Sequence, residues 1–304
     1  MKPWQADLAI VGAAAIWGMS FIFTRWGLTD CSPALFLVAR FGLALAVSLL
    51  LFGGKLAGMP RATLRRGFIL GVLMGGGYLL QTYSVNFTEV SRAAFIAALT
   101  LPAIPVMSFI LFRQKLRLNN AVGIALALLG LYLLLDPRFS GFRIGDLMAL
   151  VSVPLWALYL IYINIFTEGI DEPHLTARLL LTQFLGALAL VAVFTLIFES
   201  GFILPPLHPD LGKGLKPTGL FWAGLTYCAL LASIGIVFIQ TSCQKYTTAV
   251  QAMLCFQLEP VTATAGAFLL LGEQVGLKAV IGAAVIILGV LASELGGMLG
   301  SKKA

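Results

Sequence analysis

Charge is what this chain lacks most. Only 11% of its 304 residues are Asp, Glu, Lys or Arg, against about a quarter in soluble domains. Hydrophobic residues make up 60% and the mean hydropathy is +0.97. That balance excludes a water-soluble domain, because a chain of this size cannot bury so much apolar surface within itself. It also excludes disorder, which needs low hydrophobicity and high charge. Histidine is nearly missing: His174 and His208 fall in predicted loops on opposite sides of a membrane. The cysteines Cys31, Cys228, Cys243 and Cys255 show no CxxC spacing and no His cluster, so neither a disulfide nor a metal site is expected. Walker, HExxH and GxSxG sequences are missing too. The chain therefore reads as a non-enzyme without cofactor, and any active transport must draw on an ion gradient rather than ATP. The net charge of +7 is scattered over short loops and forms no stripe, which argues against nucleic acid as a partner. The N-terminus is not a convincing signal peptide: only Lys2 precedes the first apolar run, which extends to about Leu28.

What is present is apolar sequence cut into membrane-length pieces. A spanning helix needs about 20 mostly apolar residues. Ten stretches fit: 8–28, 34–53, 67–86, 93–112, 119–135, 145–166, 175–198, 219–239, 249–271 and 277–298. The 32 Gly and 13 Pro suit membrane helices, in which both are enriched. The longest connection, 199–218, carries Pro205, Pro206, Pro209 and Pro217. With the N-terminus inside, inner segments hold eleven Lys and Arg and outer segments six, so both termini are expected in the cytoplasm. The loop 167–174 dissents, with Glu168, Asp171 and Glu172 and no cation. Acidic residues count little in this rule.

The chain also reads as a doubled unit. An alanine-rich helix with a mid-span tryptophan opens each half, at Trp17-Gly18 and at Trp156-Ala157. Arg40-Phe41 is matched by Gln183-Phe184 in the following helix. Pro-containing helices at 91–105 and 247–260 come next, and glycine-bearing helices close each half at Gly123–Leu135 and Gly282–Ala292. Five is odd, so two such units must sit inverted in the membrane, a transporter signature. The expected architecture is all-α integral membrane: ten transmembrane helices as two inverted five-helix repeats, residues 1–138 and 139–304.

Trp17-Gly18, Arg40-Phe41, Gly145-Asp146 and Leu258-Glu259-Pro260-Val261 through Gly272-Glu273 resemble the drug/metabolite transporter superfamily, EamA-like family, over essentially the whole chain. The resemblance implies a carrier with predicted helices 1, 3, 4, 6, 8 and 9 around a central cavity. It further implies small metabolites as cargo, often amino acids or their derivatives, moved usually outward across a cell (inner) membrane. Nothing in it opposes a homodimer. One departure is Phe112-Arg113-Gln114-Lys115, where members often have Gly-Glu.

Charges inside spans cost about 2.5–3.5 kcal/mol on insertion scales, so the few present are the candidates. Glu259, mid-span and next to Pro260, is the proposed substrate and proton-coupling group; its rival reading is a packing tie. Arg40 reads as a structural intramembrane charge. Arg25 and Arg178 lie near helix ends and can snorkel. Mid-span Trp17 and Trp156 need indole N–H acceptors and are candidate walls of a substrate site, against a rival reading as core. Tyr78, Tyr83 and Tyr159 add polar groups to the candidate substrate set. Pro102, Pro105 and Pro260 are expected to break their helices. Small-residue pairs such as Gly71-x3-Gly75, Gly42-x3-Ala46 and Gly289-x3-Ser293 predict close helix approach.

The expectation is a secondary carrier of amino acids or related amphipathic compounds, working by alternating access with a proton as candidate coupling ion. Uncoupled exchange of the same substrates is the alternative mechanism. A membrane scaffold or lipid-handling protein is the alternative class.

Overall fold

The chain's apolar runs become helices, and their starts are set by local chemistry. In the computed structural model the described residues are 1, 3–88, 90–113, 116, 118–135, 141–170, 172–199, 217–271 and 275–301, and among them no strand occurs. The helices are α1 (Pro3–Gly27), α2 (Pro33–Phe52), α3 (Arg61–Phe87), α4 (Val90–Ala97), α5 (Thr100–Phe112), α6 (Leu118–Leu135) and α7 (Ile144–Thr167). They continue with α8 (Leu175–Phe198), α9 (Gly219–Thr226), α10 (Ile236–Cys243), α11 (Ala249–Phe256), α12 (Glu259–Leu271) and α13 (Leu277–Ser301). A π-helical stretch, Tyr227–Gly235, joins α9 to α10. Ser32 caps α2 by accepting from the Leu35 N–H at 3.3 Å, with Pro33 as the first helical residue. This uses an orphan donor and a position where proline costs nothing. Several features read from the sequence lie outside the described residues: Lys2, Asp171, the Gly272-Glu273 end of the last motif, Gln114-Lys115, and segment 200–216 with His208.

Six helical stretches are long and apolar enough to cross a membrane: Trp4–Gly27, Pro33–Leu56, Ala93–Phe112, Ile144–Thr167, Leu175–Phe198 and Gly219–Tyr246. Asn120–Leu135 and Leu277–Ala292 are apolar but shorter. Apolar side chains point outward along them, Leu50 and Ile110 among the more exposed. A helical protein tolerates that only where lipid replaces water. The 27-residue α3 falls outside the six because Arg61, Arg65, Arg66, Gln81, Thr82 and Asn86 dilute it. Its place explains that composition: α3 packs along α7 and α8, so protein rather than lipid covers much of it.

The α3–α8 contact is a glycine ridge. Gly67, Gly71 and Gly75, at i, i+4 and i+8, share one helix face and all meet α8. A Cβ at Gly71 would lie 2.9 Å from the Ala187 N, and one at Gly75 would lie 2.9 Å from the Ala187 Cα. α6 and α13 pair in the same way, with a Cβ at Gly130 falling 2.6 Å from the Gly282 carbonyl oxygen. Without a hydrophobic driving force in lipid, such close backbone packing holds helices together. Gly42 departs from the sequence expectation: open space surrounds it, so Gly42-x3-Ala46 is not a packing motif. Gly71→Val should therefore destabilise the protein by about 1–3 kcal/mol through overpacking, whereas Gly42→Ala should leave it unchanged. Thermal unfolding of the two variants in detergent checks the difference.

Two of the three candidate prolines accompany interruptions. α4 gives way to α5 through Ala98-Leu99, and α11 to α12 through Gln257-Leu258. Pro102 and Pro260 each sit in the first turn of the helix that follows. A proline lacks the N–H that would bond the carbonyl four residues back and clashes with it, so the chain gives way just upstream. Pro105 does not follow the expectation. It lies inside α5, which continues through it; one lost bond in an otherwise regular membrane helix is tolerated where neighbouring groups compensate.

Candidate functional site

Four helices bring aromatic rings together. Trp17 of α1 lies 5.6 Å from Trp156 of α7, 6.0 Å from Tyr78 of α3 and 5.2 Å from Phe256 of α11, centroid to centroid. Tyr78 and Trp156 are 5.1 Å apart in a T-shaped contact. Offset and edge-to-face pairs at such spacings are favourable. Trp156 is 6% exposed, while Trp17 is half-buried. Tyr159 stands behind Trp156 at 5.7 Å, with its hydroxyl donating to Gln183 Oε1 at 3.0 Å. Tyr83 is not brought to this cluster. Its hydroxyl donates to Glu199 and its ring packs on Phe194 at the end of α3.

Glycine places the first ring. Gly18, next to Trp17, lies against Thr262 and the backbone of Glu259 and Ala263, where a Cβ would come within 2.9 Å of the Ala263 N. α1 therefore seats directly on the α11–α12 interruption. Phe256 ends α11 and Glu259 opens α12, on either side of the interruption at Gln257-Leu258. The Glu259 residue is half-buried. Among the described residues its carboxylate takes no hydrogen bond and no ion pair, while its backbone carbonyl accepts from Thr262 Oγ1 at 2.9 Å. Gly77 likewise makes room for the Trp156 indole, whose Cε2 and Nε1 would be 2.7 Å from a Cβ there. The Trp156 N–H is buried without an acceptor.

Arg40 approaches Tyr78 from the other side. Its guanidinium carbon stands 4.5 Å from the Tyr78 ring centroid. Nε donates to Ser233 Oγ at 2.8 Å, and Nη2 donates to the Tyr78 hydroxyl and the Ala232 carbonyl, each at 3.2 Å. Arg40 is 2% exposed and makes no ion pair among the described residues. The π-helical stretch supplies two of these three acceptors, Ser233 and Ala232; Ser233 Oγ itself donates to the Cys228 carbonyl, five residues back.

Hydrogen-bonded clasps hold the bundle at both ends. At the end where α2 begins, Ser32 Oγ donates to Glu199 Oε2 at 2.5 Å, alongside Tyr83. Thr88 Oγ1 donates to Asp146 Oδ1 at 2.8 Å. A Cβ at the adjacent Gly145 would lie 2.6 Å from the Ser84 carbonyl oxygen, so Gly145-Asp146 docks α7 on the end of α3. Asp30 Oδ2 accepts from the Thr218 hydroxyl at 2.5 Å and its N–H at 2.9 Å. These bonds, the Thr218 hydroxyl first, hold the exposed Asp30 carboxyl below the usual carboxylate range. A lowered folded value means this clasp is at full strength above the unfolded value of about 3.9 and weakens as pH falls through the folded one. Nearby, burial pushes the Cys31 thiol up to about 12, leaving it an inert thiol.

At the opposite end Arg178 does not snorkel. Nη1 donates to Glu172 Oε1 at 2.7 Å, Nε to the Lys55 carbonyl at 2.8 Å and Nη2 to the Ala57 carbonyl at 2.7 Å. Thr63 also donates to Glu172. The acidic loop that departs from the positive-inside pattern thus contains the partner of a buried arginine. An apolar groove of about 630 Å³, lined by Phe23, Trp222, Thr226, Tyr227, Leu230 and Leu231, shares no residue with the aromatic cluster.

Several of these residues were not singled out by sequence reasoning. The roles of Glu172, Glu199 and the π-helical stretch depend on contacts between distant segments and leave no local signal.

Known proteins share this pattern. The sequence profile of the EamA-like transporter family matches residues 4–136 and again 143–294. An uncharacterized transporter of Archaeoglobus fulgidus is 25% identical over 295 residues, 97% of this chain and 87% of its own length. The uncharacterized transporter YoaV of Bacillus subtilis is 25% identical over 300 residues, covering 93% of this chain and 94% of its own. A solved crystal structure superposes with a TM-score of 0.75 at 19% identity, over 96% of this chain and 98% of that one, which establishes the shared fold. With two successive matches that together span both halves, and relatives called transporters along nearly its full length, the chain belongs to the EamA-like transporter family.

Proposed function

We propose that this membrane transporter is a secondary carrier of amino acids or related amphipathic compounds, exporting them by alternating access around Trp17, Tyr78, Trp156 and Glu259. The observation that carries the reading is convergence. The Trp helices α1 and α7, at equivalent places in the two halves, meet α3 and α11 through their rings, and Gly18 of α1 packs on the backbone of Glu259, the first residue after the α11–α12 interruption. Glu259 is the proton-coupling group, and Tyr159 is a supporting wall behind Trp156.

Ten spans follow when α4–α5, α9–α10 and α11–α12 each count as one interrupted helix. Helix pairings support an inverted repeat of residues 1–138 and 139–304: α1 packs on α11 and α12 as α7 packs on α4 and α5, and α6 closes the first half against α13 of the second. Clasps at both ends support an occluded state between two open ones. The Lys and Arg bias favours a cell (inner) membrane location with both termini cytoplasmic.

The test is purified protein in liposomes, with a panel of amino acids and amphipathic amines on one side and an imposed pH gradient. Accumulation that follows the gradient is expected. Transport indifferent to the gradient would establish uncoupled exchange. No movement of any solute would contradict a carrier.

A further inference from the structure

We propose that the start of α3 binds the headgroup of an anionic phospholipid, with the acyl chains laid along the exposed apolar face that adjoins it. This goes beyond the carrier reading and does not depend on it. The two cations concerned, Arg61 and Arg65, are exposed and stand one turn apart on one face of the helix. Among the described residues neither forms an ion pair, and Glu172 at this end is already taken by Arg178 and Thr63. Their placement is unfavourable for the chain alone. Like charges four residues apart repel, and the first turn of a helix favours anions over cations. α3 has no acidic residue in that turn and no side-chain cap at Pro60. Lys55 adds a third exposed cation in the α2–α3 connection. An anion supplied from outside relieves both costs.

The same face selects the kind of anion. Leu64 and Phe68, each 40% exposed, complete a row with Arg61 and Arg65 at i, i+3, i+4 and i+7. Its direction is fixed. Thr63 is buried and donates to Glu172, and Gly67 and Gly71 press on α8, so the row points away from the bundle. Its depth is fixed as well. The neighbouring span Pro33–Leu56 carries exposed Leu49, Leu50 and Leu51 up to the turn that leads into α3. The Lys55 and Ala57 carbonyls of that turn accept from buried Arg178, which holds the connection in place. Along α3, apolar side chains give way to cations within about two helical turns, as at the boundary between acyl chains and headgroups. A ligand here must set negative charge beside hydrocarbon. A phospholipid does so, whereas a soluble phosphate offers only the charge. In the orientation proposed above this end faces the cytoplasmic leaflet, whose anionic lipids attract juxtamembrane Lys and Arg.

The test holds the acyl chains constant and varies the headgroup. Native mass spectrometry of the full-length protein, released from detergent and titrated with lipid, counts the molecules bound. Phosphatidylglycerol should bind at least about tenfold more tightly than phosphatidylcholine, the effect of two arginines at an anionic headgroup. Arg61→Gln with Arg65→Gln should bring the two lipids to within about threefold of one another. Arg113→Gln with Lys245→Gln removes the same charge from exposed positions elsewhere and should keep the preference. Glycerol 3-phosphate, an anion without chains, should not compete with the lipid. Equal binding of the two lipids by the wild-type protein overturns the proposal. So does a control variant that loses the preference to the same extent, since attraction would then follow net charge alone. Displacement by glycerol 3-phosphate overturns it in favour of a free-phosphate site. Because the wild-type ranking is decisive alone, a variant that fails to fold does not rescue the proposal. Transport in liposomes is read separately, so failure here leaves the carrier reading intact.

Discussion

Replacing Glu259 by Gln should abolish pH-dependent transport while leaving the fold as stable as before. The substitution preserves shape and removes only the titrating charge. A tie within the helix packing would show bonds to its carboxylate, yet none is made among the described residues. A half-buried charge without a partner is a cost to the folded state, so its removal should change stability by no more than about 1 kcal/mol, and in the favourable direction. Accumulation driven by a pH gradient should fall by at least about tenfold and the pH profile should become flat, as for the loss of an essential proton-carrying group. Transport across a pH series, measured beside thermal unfolding, reads both effects. An unchanged rate and profile would assign Glu259 to structure.

Arg178→Ala should have the opposite character, with a large loss of stability. The wild-type side chain satisfies Glu172 and two backbone carbonyls at once, at 2.7–2.8 Å, and is 7% exposed. Its removal leaves a largely buried carboxylate held only by Thr63 and two carbonyls without donors. Breaking such a pair costs about 3–5 kcal/mol. Arg178→Lys should recover only part of the loss, because an ammonium on a flexible stem does not reproduce the planar fork that reaches three acceptors. Denaturant unfolding in mixed micelles gives the comparison. A loss below about 1 kcal/mol would mean that Arg178 behaves as an exposed surface cation.

The contrast between these residues shows what a linear sequence can reveal about a membrane protein. Composition and hydrophobic length placed the helices well, because lipid demands helices with internally satisfied backbones and long apolar runs. Trp17, Trp156 and Glu259 stood out because large or charged groups at mid-span are costly and few. Their meeting with Tyr78 was not legible, since facing depends on helix rotation and on small residues such as Gly18 and Gly77 that set how closely backbones approach. Tyr83 looked equivalent to Tyr78 in the sequence, but its five-residue offset carries it to the helix end and to Glu199. Arg178 looked like a snorkelling cation because its partner lies in a loop and its carbonyl acceptors lie more than a hundred residues away. Arg40 was read as a structural charge from its place in a span, and the π-helical stretch that supplies two of its acceptors has no sequence signature of its own.

The most direct test of the site is its accessibility to water. In a transport-active variant with Cys31, Cys228, Cys243 and Cys255 replaced by serine or alanine, Trp17→Cys provides one thiol inside the cluster. The measurement is its labelling by a membrane-impermeant thiol reagent applied from each side of sealed vesicles, with and without cargo. Labelling that cargo suppresses is the expected result. A thiol that stays unlabelled from both sides while the same protein transports would contradict a central substrate site at Trp17, Trp156 and Glu259.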